Sequence, residues 1–188
     1  PAGSISSSVN DMSHWVLMQL DNGKYKDQVV VPVSAIAQTR LPHSILGNGG
    51  VLFNEGHFAL YGLGWFLQEY CGRKIVEHTG GVNGFVTSVT LVPEDKLGII
   101  VFTNTDQNLF YDALKWDIMD AYFGKPYRNY SNVYLNTYKA QSASQQKKDQ
   151  GLKDSVSMHL KTELPISAYE GSYFNDVYGN MSVVSENG

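Results

Sequence analysis

His78-Thr79-Gly80-Gly81 brings an imidazole, a hydroxyl and two residues without a Cβ into four consecutive positions. Those types suit acyl chemistry. An imidazole can hold a carboxylate or tune a nearby proton, a hydroxyl can bind a substrate carboxylate, and an uncovered backbone N–H can stabilise an oxyanion. Two glycines let another backbone come close. A strand ending in this tetrad therefore suits an extended acyl substrate. By composition alone the same four residues also read as a plain glycine-rich strand turn. His14, His43, His57 and His159 stand alone in the sequence and read as solvated or structural.

The elements that must position the tetrad surround it. Tyr61–Cys71 and Phe85–Pro93 carry aromatic and β-branched residues, and Leu97–Asn104 is a nearly unbroken apolar run. Each is bounded by Gly, Pro, Asn or Asp, which predicts three strands, with the tetrad on a further stretch of strand begun at Lys74. Cys71 reads as a small core hydrophobe on the first of them. Upstream, Pro1–Ser8 is a small-residue loop, and Val9, Met12, Val16 and Leu20 recur at helical spacing, with a cap from Ser6, Ser7 or Ser8 and a stop at Asn22-Gly23. Val31-Pro32-Val33-Ser34 opens a second short helix with Ser34 as its N-cap, ending near Leu41-Pro42. Gly47–Gly50 lacks the lysine of a phosphate loop and reads as a turn.

Downstream, Thr103-Asn104-Thr105-Asp106 offers capping oxygens to a helix whose apolar face is Phe110, Ala113, Leu114, Ile118, Ala121 and Tyr122. Gly124 and Pro126 end that helix, which should pack across the sheet. The polar stretch AQSASQQKKDQGLKDS reads as a linker or an exposed helix, and past Pro165 aromatic residues alternate with polar and glycine positions, as in the first strands of a β-unit. The expected fold is α+β of the α/β sandwich type, an antiparallel sheet with packed helices. Its expected parts are residues 1–124, a partly helical linker at 125–164, and the beginning of a β-rich domain at 165–188.

Composition narrows the partners. A chain of 188 residues that is 43% hydrophobic supports a sizeable core. A net charge of −4 without a dense Lys/Arg block argues against nucleic acid or an anionic membrane surface as partner. No apolar run is long enough for a transmembrane segment. The single cysteine excludes an intrachain disulfide framework and C-x-x-C, and no H-x-x-x-H occurs, so no metal and no cofactor are expected. The chain opens on Pro1 rather than Met, and upstream sequence is expected.

PAGSISSSVNDMSHWVLMQL, YGLGWF, EHTGGVNGF and LVPEDKLGIIVFTN, in that order, resemble consecutive landmarks of the serine β-lactamase and penicillin-binding-protein family. The resemblance covers about residues 1–124 and is to the branch of class C β-lactamases, D-alanyl-D-alanine peptidases and esterase-like enzymes. It implies that residues 1–124 are the C-terminal part of a β-lactamase-like domain. In that family a Ser-x-x-Lys pair, a Tyr-x-Asn motif and a Lys-Thr-Gly or His-Thr-Gly strand converge on one cleft, where the serine forms an acyl-enzyme. The resemblance places His78, as a catalytic residue, with Thr79 and Gly80 on the third motif, and gives Gly81 the backbone N–H of the oxyanion hole. His78 stands where lysine is commoner, which makes charge there sensitive to pH near neutrality. The segment after Pro165 is similar to the small β-rich domain that follows the catalytic domain in exported bacterial members, so a periplasmic or otherwise exported bacterial location is expected.

The first two motifs of the family lie upstream of the landmark at which this chain begins. The nucleophile is therefore expected outside these residues. One Ser-x-x-Lys string, Ser144-Gln145-Gln146-Lys147, and Tyr-x-Asn strings at Tyr127, Tyr130, Tyr134 and Tyr178 all follow the tetrad, the reverse of family order, and read as coincidence. With three or four strands, the two N-terminal helices and the helix at Phe110, one sheet face and one sheet edge should lack cover. The expected partners are a small-molecule or peptide substrate and either the missing N-terminal half or a second copy. The favoured reading is the C-terminal segment of a serine hydrolase acting on a β-lactam, a D-alanyl peptide or a small ester, and inactive alone. The alternatives are a non-catalytic domain that binds a peptide or cell-wall ligand, and a structural interaction segment.

Overall fold

The computed structural model describes residue 3 and residues 5–106 and 108–186. Pro1, Ala2 and Ser4 of the opening loop lie outside the described residues. The chain divides into two compact units, Pro1–Lys139 and Ala140–Gly188.

Helix α1 (Val9–Leu20) starts where sequence chemistry places it: the Asp11 N–H donates to Ser8 Oγ at 3.1 Å, and the Ser8 hydroxyl donates to the Asp11 carboxylate at 2.9 Å. Gly23, at φ +94°, follows its end. A hairpin of β1 (Lys24–Tyr25) and β2 (Gln28–Val29) comes next, then α2 (Val33–Thr39). Pro32, at φ −58°, is the N-cap residue of α2 and no side chain caps it. Ser34 therefore lies inside the first turn and is not the cap the sequence suggested.

Strands β3 (Ser44–Gly47), β4 (Gly50–Val51), β5 (Asn54–Glu55), β6 (Ala59–Tyr61), β7 (Phe66–Tyr70), β8 (Arg73–Val82), β9 (Phe85–Val92) and β10 (Leu97–Thr103) follow. β4 and β5 form a small hairpin of their own. The other six make one antiparallel sheet in the order β10-β9-β8-β7-β6-β3, larger than the three or four strands expected. The run read as one strand from Tyr61 to Cys71 is two, split by Gly62-Leu63-Gly64-Trp65. Cys71 and Gly72 are the two-residue turn between β7 and β8, both at positive φ (52° and 69°), so Cys71 is a half-buried turn residue and not a strand position.

Alternation along the strands gives the sheet two apolar faces, and each carries a helix. On one, Ile75, Val92, Ile99 and Val101 pack with Ala113, Trp116 and Met119 of α3 (Phe110–Tyr122). On the other, Leu67, Val76 and Leu91 pack with Trp65 and with Val16 and Leu20 of α1. Neither face is bare along its whole length. The buried stripe of α3 is Ala113, Trp116, Met119 and Asp120, rotated from the expected one, with Phe110, Ile118 and Tyr122 exposed. The reason is polar. Asp120 is buried because it accepts hydrogen bonds from the Tyr70 and Tyr130 hydroxyls, and this fixes which side of the helix turns inward. Asn108 Oδ1 accepts the Phe110 N–H at 3.1 Å, so the first turn of α3 is bonded by Asn108 and not by residues 103–106.

Helix α4 (Tyr130–Ser157) covers most of the polar stretch. Its first turns belong to the first unit, where Tyr130 is fully buried and its hydroxyl receives Arg128 Nη1 at 3.3 Å and Asn54 Nδ2 at 3.4 Å. The second unit contains the hairpin of β11 (Gly171–Asn175) and β12 (Gly179–Val183). Among the described residues no helix is long and apolar enough to cross a membrane.

α1 reaches the sheet where β10 has no side chain. A Cβ on Gly98 would run into Val16 Cγ1 and lie 3.2 Å from Leu20 Cδ1. Gly98→Ala is expected to cost about 1–3 kcal/mol by overpacking, read as a lower urea midpoint with an unchanged slope.

Candidate functional site

The tetrad occupies the second half of β8, which continues to Val82 and does not stop at the glycines. On the β9 side it is fully paired, His78 with Val89, Thr79 with Ser88, Gly80 with Thr87 and Gly81 with Val86. On the β7 side, pairing stops one residue earlier, at Phe66 opposite Glu77. β7 leaves because the chain before it turns: the Gly62 N–H donates to Trp65 O at 2.8 Å, and the Leu63 N–H donates to Thr39 O at 3.0 Å. Gly62 has no room for a Cβ against the Thr39 and Leu41 carbonyls, and Gly64 takes φ +79°. One edge of β8 is thus without a strand neighbour from His78 onward.

That edge borders a cleft of about 950 Å³ on the α1 side of the sheet. Met12 and Trp15 of α1, Trp65, Val89 and Phe102 supply its apolar walls, while His78, Thr79 and Gly80 supply the tetrad. Trp15 and Trp65 stack with ring centres 5.7 Å apart. A Cβ on Gly80 would meet Thr87 Oγ1 at 2.9 Å, whereas the space beside Gly81 is open. His78, Thr79 and Gly80 therefore line one cleft, and Gly81 follows on the same strand edge.

Both ring nitrogens of His78 are engaged. Nδ1 lies 2.6 Å from Thr79 O, and Nε2 lies 3.0 Å from the Tyr61 hydroxyl. A carbonyl oxygen only accepts, so Nδ1 carries a proton, and in the neutral ring Nε2 accepts from the Tyr61 O–H. Phe66 stacks on the imidazole at 5.2 Å, and the Tyr61 ring meets Phe66 edge-on at 4.9 Å. Tyr61 was not singled out in the sequence as a site residue. Its only signal there is its place at the head of the YGLGWF run, whose glycines bring it back beside β8.

The opposite face of β8 holds a buried charge network. Glu77 accepts from Gln68 Nε2 at 2.5 Å, Thr90 Oγ1 at 3.2 Å and Lys115 Nζ at 2.9 Å, and Lys115 also meets Asp112 at 2.6 Å. Burial pushes the Lys115 pKa down, but the Glu77 and Asp112 carboxylates outweigh it and hold the ammonium above its ordinary value. The residue next to His78 is thereby tied to α3. The Gly84 N–H donates to Asp106 Oδ1 at 2.6 Å and Thr103 Oγ1 to Val86 O at 2.8 Å, which ties the β8–β9 turn to the end of β10.

The other motif strings hold structural or exposed positions. Ser144 lies on an exposed stretch of α4, Tyr130 and Tyr134 are buried, and Tyr127 and Tyr178 are exposed. Among the described residues no group of three or more His, Cys, Asp or Glu is placed to hold a metal ion.

Two outcomes are expected. Lys115→Met strands two carboxylates and should cost about 3–5 kcal/mol at neutral pH. A raised lysine pKa gives stability that is full below about pH 10.4 and is lost as pH rises through the folded value, so the gap between wild type and variant in urea unfolding should narrow there. In Tyr61→Phe, ¹⁵N spectra of histidine-labelled protein should show His78 still protonated at Nδ1, with the Nε2 resonance moved toward that of an unshared lone pair. An Nε2–H tautomer in the wild type would contradict the assignment.

Known proteins match this arrangement at three levels. The family model described as Beta-lactamase matches residues 1–122. The unguisins hydrolase ungD of Aspergillus violaceofuscus is 28% identical over 205 residues, covering 97% of this chain and 35% of that protein. The unguisins hydrolase ungD′ of Aspergillus campestris is 26% identical over 130 residues, covering 66% of this chain and 24% of that protein. The chain thus spans about a third or less of the length of these relatives. Among solved structures, the octameric penicillin-binding protein homologue from Pyrococcus abyssi shares the fold with a TM-score of 0.51 at 22% identity, over 63% of this chain and 25% of that one. With a family match over residues 1–122, most of its length, the chain belongs to the beta-lactamase family.

Proposed function

We propose that these residues supply the substrate-binding strand of a serine hydrolase that cleaves an amide or ester through an acyl-enzyme. The observation that supports the reading is the loss of β7 as a neighbour at His78, which turns the His-Thr-Gly-Gly edge toward a cleft of about 950 Å³. A substrate backbone laid along that edge would replace the missing strand. The Thr79 hydroxyl would fix the substrate beside the scissile carbonyl, and the Gly81 N–H would donate to the oxyanion formed on attack. His78, held by Tyr61, Phe66 and Thr79 O, would keep the edge in shape and carry the Tyr61 hydroxyl to the same end of the strand.

The nucleophile and its proton-handling partners belong, in this reading, to residues of the longer protein outside these 188. The attacking serine would pass its proton to an upstream lysine and tyrosine, as the family's chemistry implies. The 188-residue segment alone is then inactive. Ser144 supports this reading, because it and Lys147 lie exposed on a helix that offers no buried setting to hold a nucleophile.

The test is intact-mass spectrometry after incubation with a fluorophosphonate, on the 188-residue segment and on the longer protein that contains it. The expected result is a stoichiometric adduct on a serine of the longer protein and none on the segment. An adduct on Ser144 would overturn the assignment, and no adduct on either would favour a domain that binds without acylation.

A further inference from the structure

We propose that Asn48 is a site of spontaneous backbone modification, deamidation through a cyclic imide, while Asn22 and Asn83, which also precede glycines, are held back by the fold. Asn-Gly is the dipeptide in which this reaction is least hindered, because a residue without a Cβ leaves its nitrogen open to the side chain before it. The sequence holds four such pairs, at Asn22, Asn48, Asn83 and Asn187. The last lies outside the described residues. In the reaction the glycine nitrogen gives up its proton to solvent and attacks the asparagine Cγ. The N–Cγ bond forms, the Cγ–Nδ2 bond breaks, and ammonia leaves. Water then opens the imide at either carbonyl, giving aspartate or an isoaspartate whose main chain runs through Cβ and Cγ.

All three described asparagines are exposed, so access to water does not separate them. The attacking nitrogen does. A nitrogen whose N–H is already bonded must first break that bond and leave its place in the fold. The Gly23 N–H donates to Met18 O at 2.9 Å, and Gly23 is buried where a Cβ would run into the Val31 carbonyl. The Gly84 N–H donates to Asp106 Oδ1 at 2.6 Å, and the carboxylate charge also opposes loss of that proton. Among the described residues neither the Gly49 N–H nor the Asn48 side chain has a hydrogen-bond partner. Asn48 lies in the link between β3 and β4, directly after Gly47, whose pairing with Ala59 ends the β3–β6 ladder. Gly49 is pressed on the Phe58 backbone, so a main chain lengthened by isoaspartate has to shift that end of the sheet.

The longer protein is aged in mildly alkaline buffer below its unfolding temperature. Peptide mapping by mass spectrometry follows the amide-to-acid exchange at each site, and enzymatic methylation detects isoaspartate. A parallel sample in urea gives each site its rate without the fold. The folded-to-unfolded rate ratio of Asn48 is expected to exceed those of Asn22 and Asn83 by at least about tenfold. A smaller margin over either, or no conversion at Asn48, overturns the proposal. Asp106→Ala supplies a second readout, since it removes the acceptor of the Gly84 N–H. Asn83 should then convert at least about tenfold faster while Asn48 keeps its rate. An unmoved Asn83 rate in a folded variant overturns the account of protection, and the wild-type comparison decides where that variant does not fold.

Discussion

The site depends on where one strand stops pairing. β8 is held by β9 along its whole length, but β7 accompanies it only as far as Glu77. A full β7 would bury the tetrad in a continuous sheet and leave no edge for a ligand. What removes it is the backbone conformation at Gly62 and Gly64, one pressed against two carbonyls and the other in the left-handed region. The same turn places Trp65 in the core and Tyr61 opposite His78. Departure of a strand, closure of a core and orientation of an imidazole are thus consequences of five residues.

The two faces of β8 are built on opposite electrostatic terms. Behind the tetrad, Glu77, Lys115 and Asp112 bury charge in a closed set, with the Lys115 ammonium also 4.6 Å from the centre of the Trp116 ring. Such a set contributes little net stability relative to an apolar core, but it fixes the register of α3 on the sheet, because every displaced partner leaves a charge unpaired. In front of the tetrad, none of the described residues that line the cleft is Lys, Arg, Asp or Glu. A strand clamped from behind by this set keeps its shape independently of what occupies the cleft in front.

Much of this was legible in the sequence, for reasons that can be named. α1 is bounded by short-range chemistry, a serine cap with an aspartate three residues on and a glycine after the end, and it lies where that chemistry says. β9 and β10 are long apolar strands between Gly, Pro and Asn, and they lie within a residue or two of expectation. What was hidden depends on tertiary partners. The face of α3 is chosen by Asp120, whose burial requires Tyr70 and Tyr130 from 50 and 10 residues away. The turns at Lys26-Asp27 and Leu52 adopt positive φ without glycine at those positions, so no local signal announced the hairpins they close, whereas Gly72 beside Cys71 marked the break before β8. Ser34 was misread because Pro32, two residues earlier, had already fixed the helix entry. The tetrad itself was visible as residue types, but its free edge was not, since that is a property of β7.

An imidazole at position 78 has a structural meaning beyond charge. A lysine ammonium has only donors and would require an acceptor or an anion in front of it. An imidazole with one proton can donate backwards to the carbonyl of the next residue and accept sideways from a tyrosine, which satisfies both nitrogens without any ligand. The strand edge is then complete in its resting state, and none of the described residues that line the cleft beside it is Lys, Arg, Asp or Glu. In the proposed reading, the part of recognition that falls to these residues would rest on the backbone of β8, the Thr79 hydroxyl and the apolar walls, that is, on shape and strand-like hydrogen bonding.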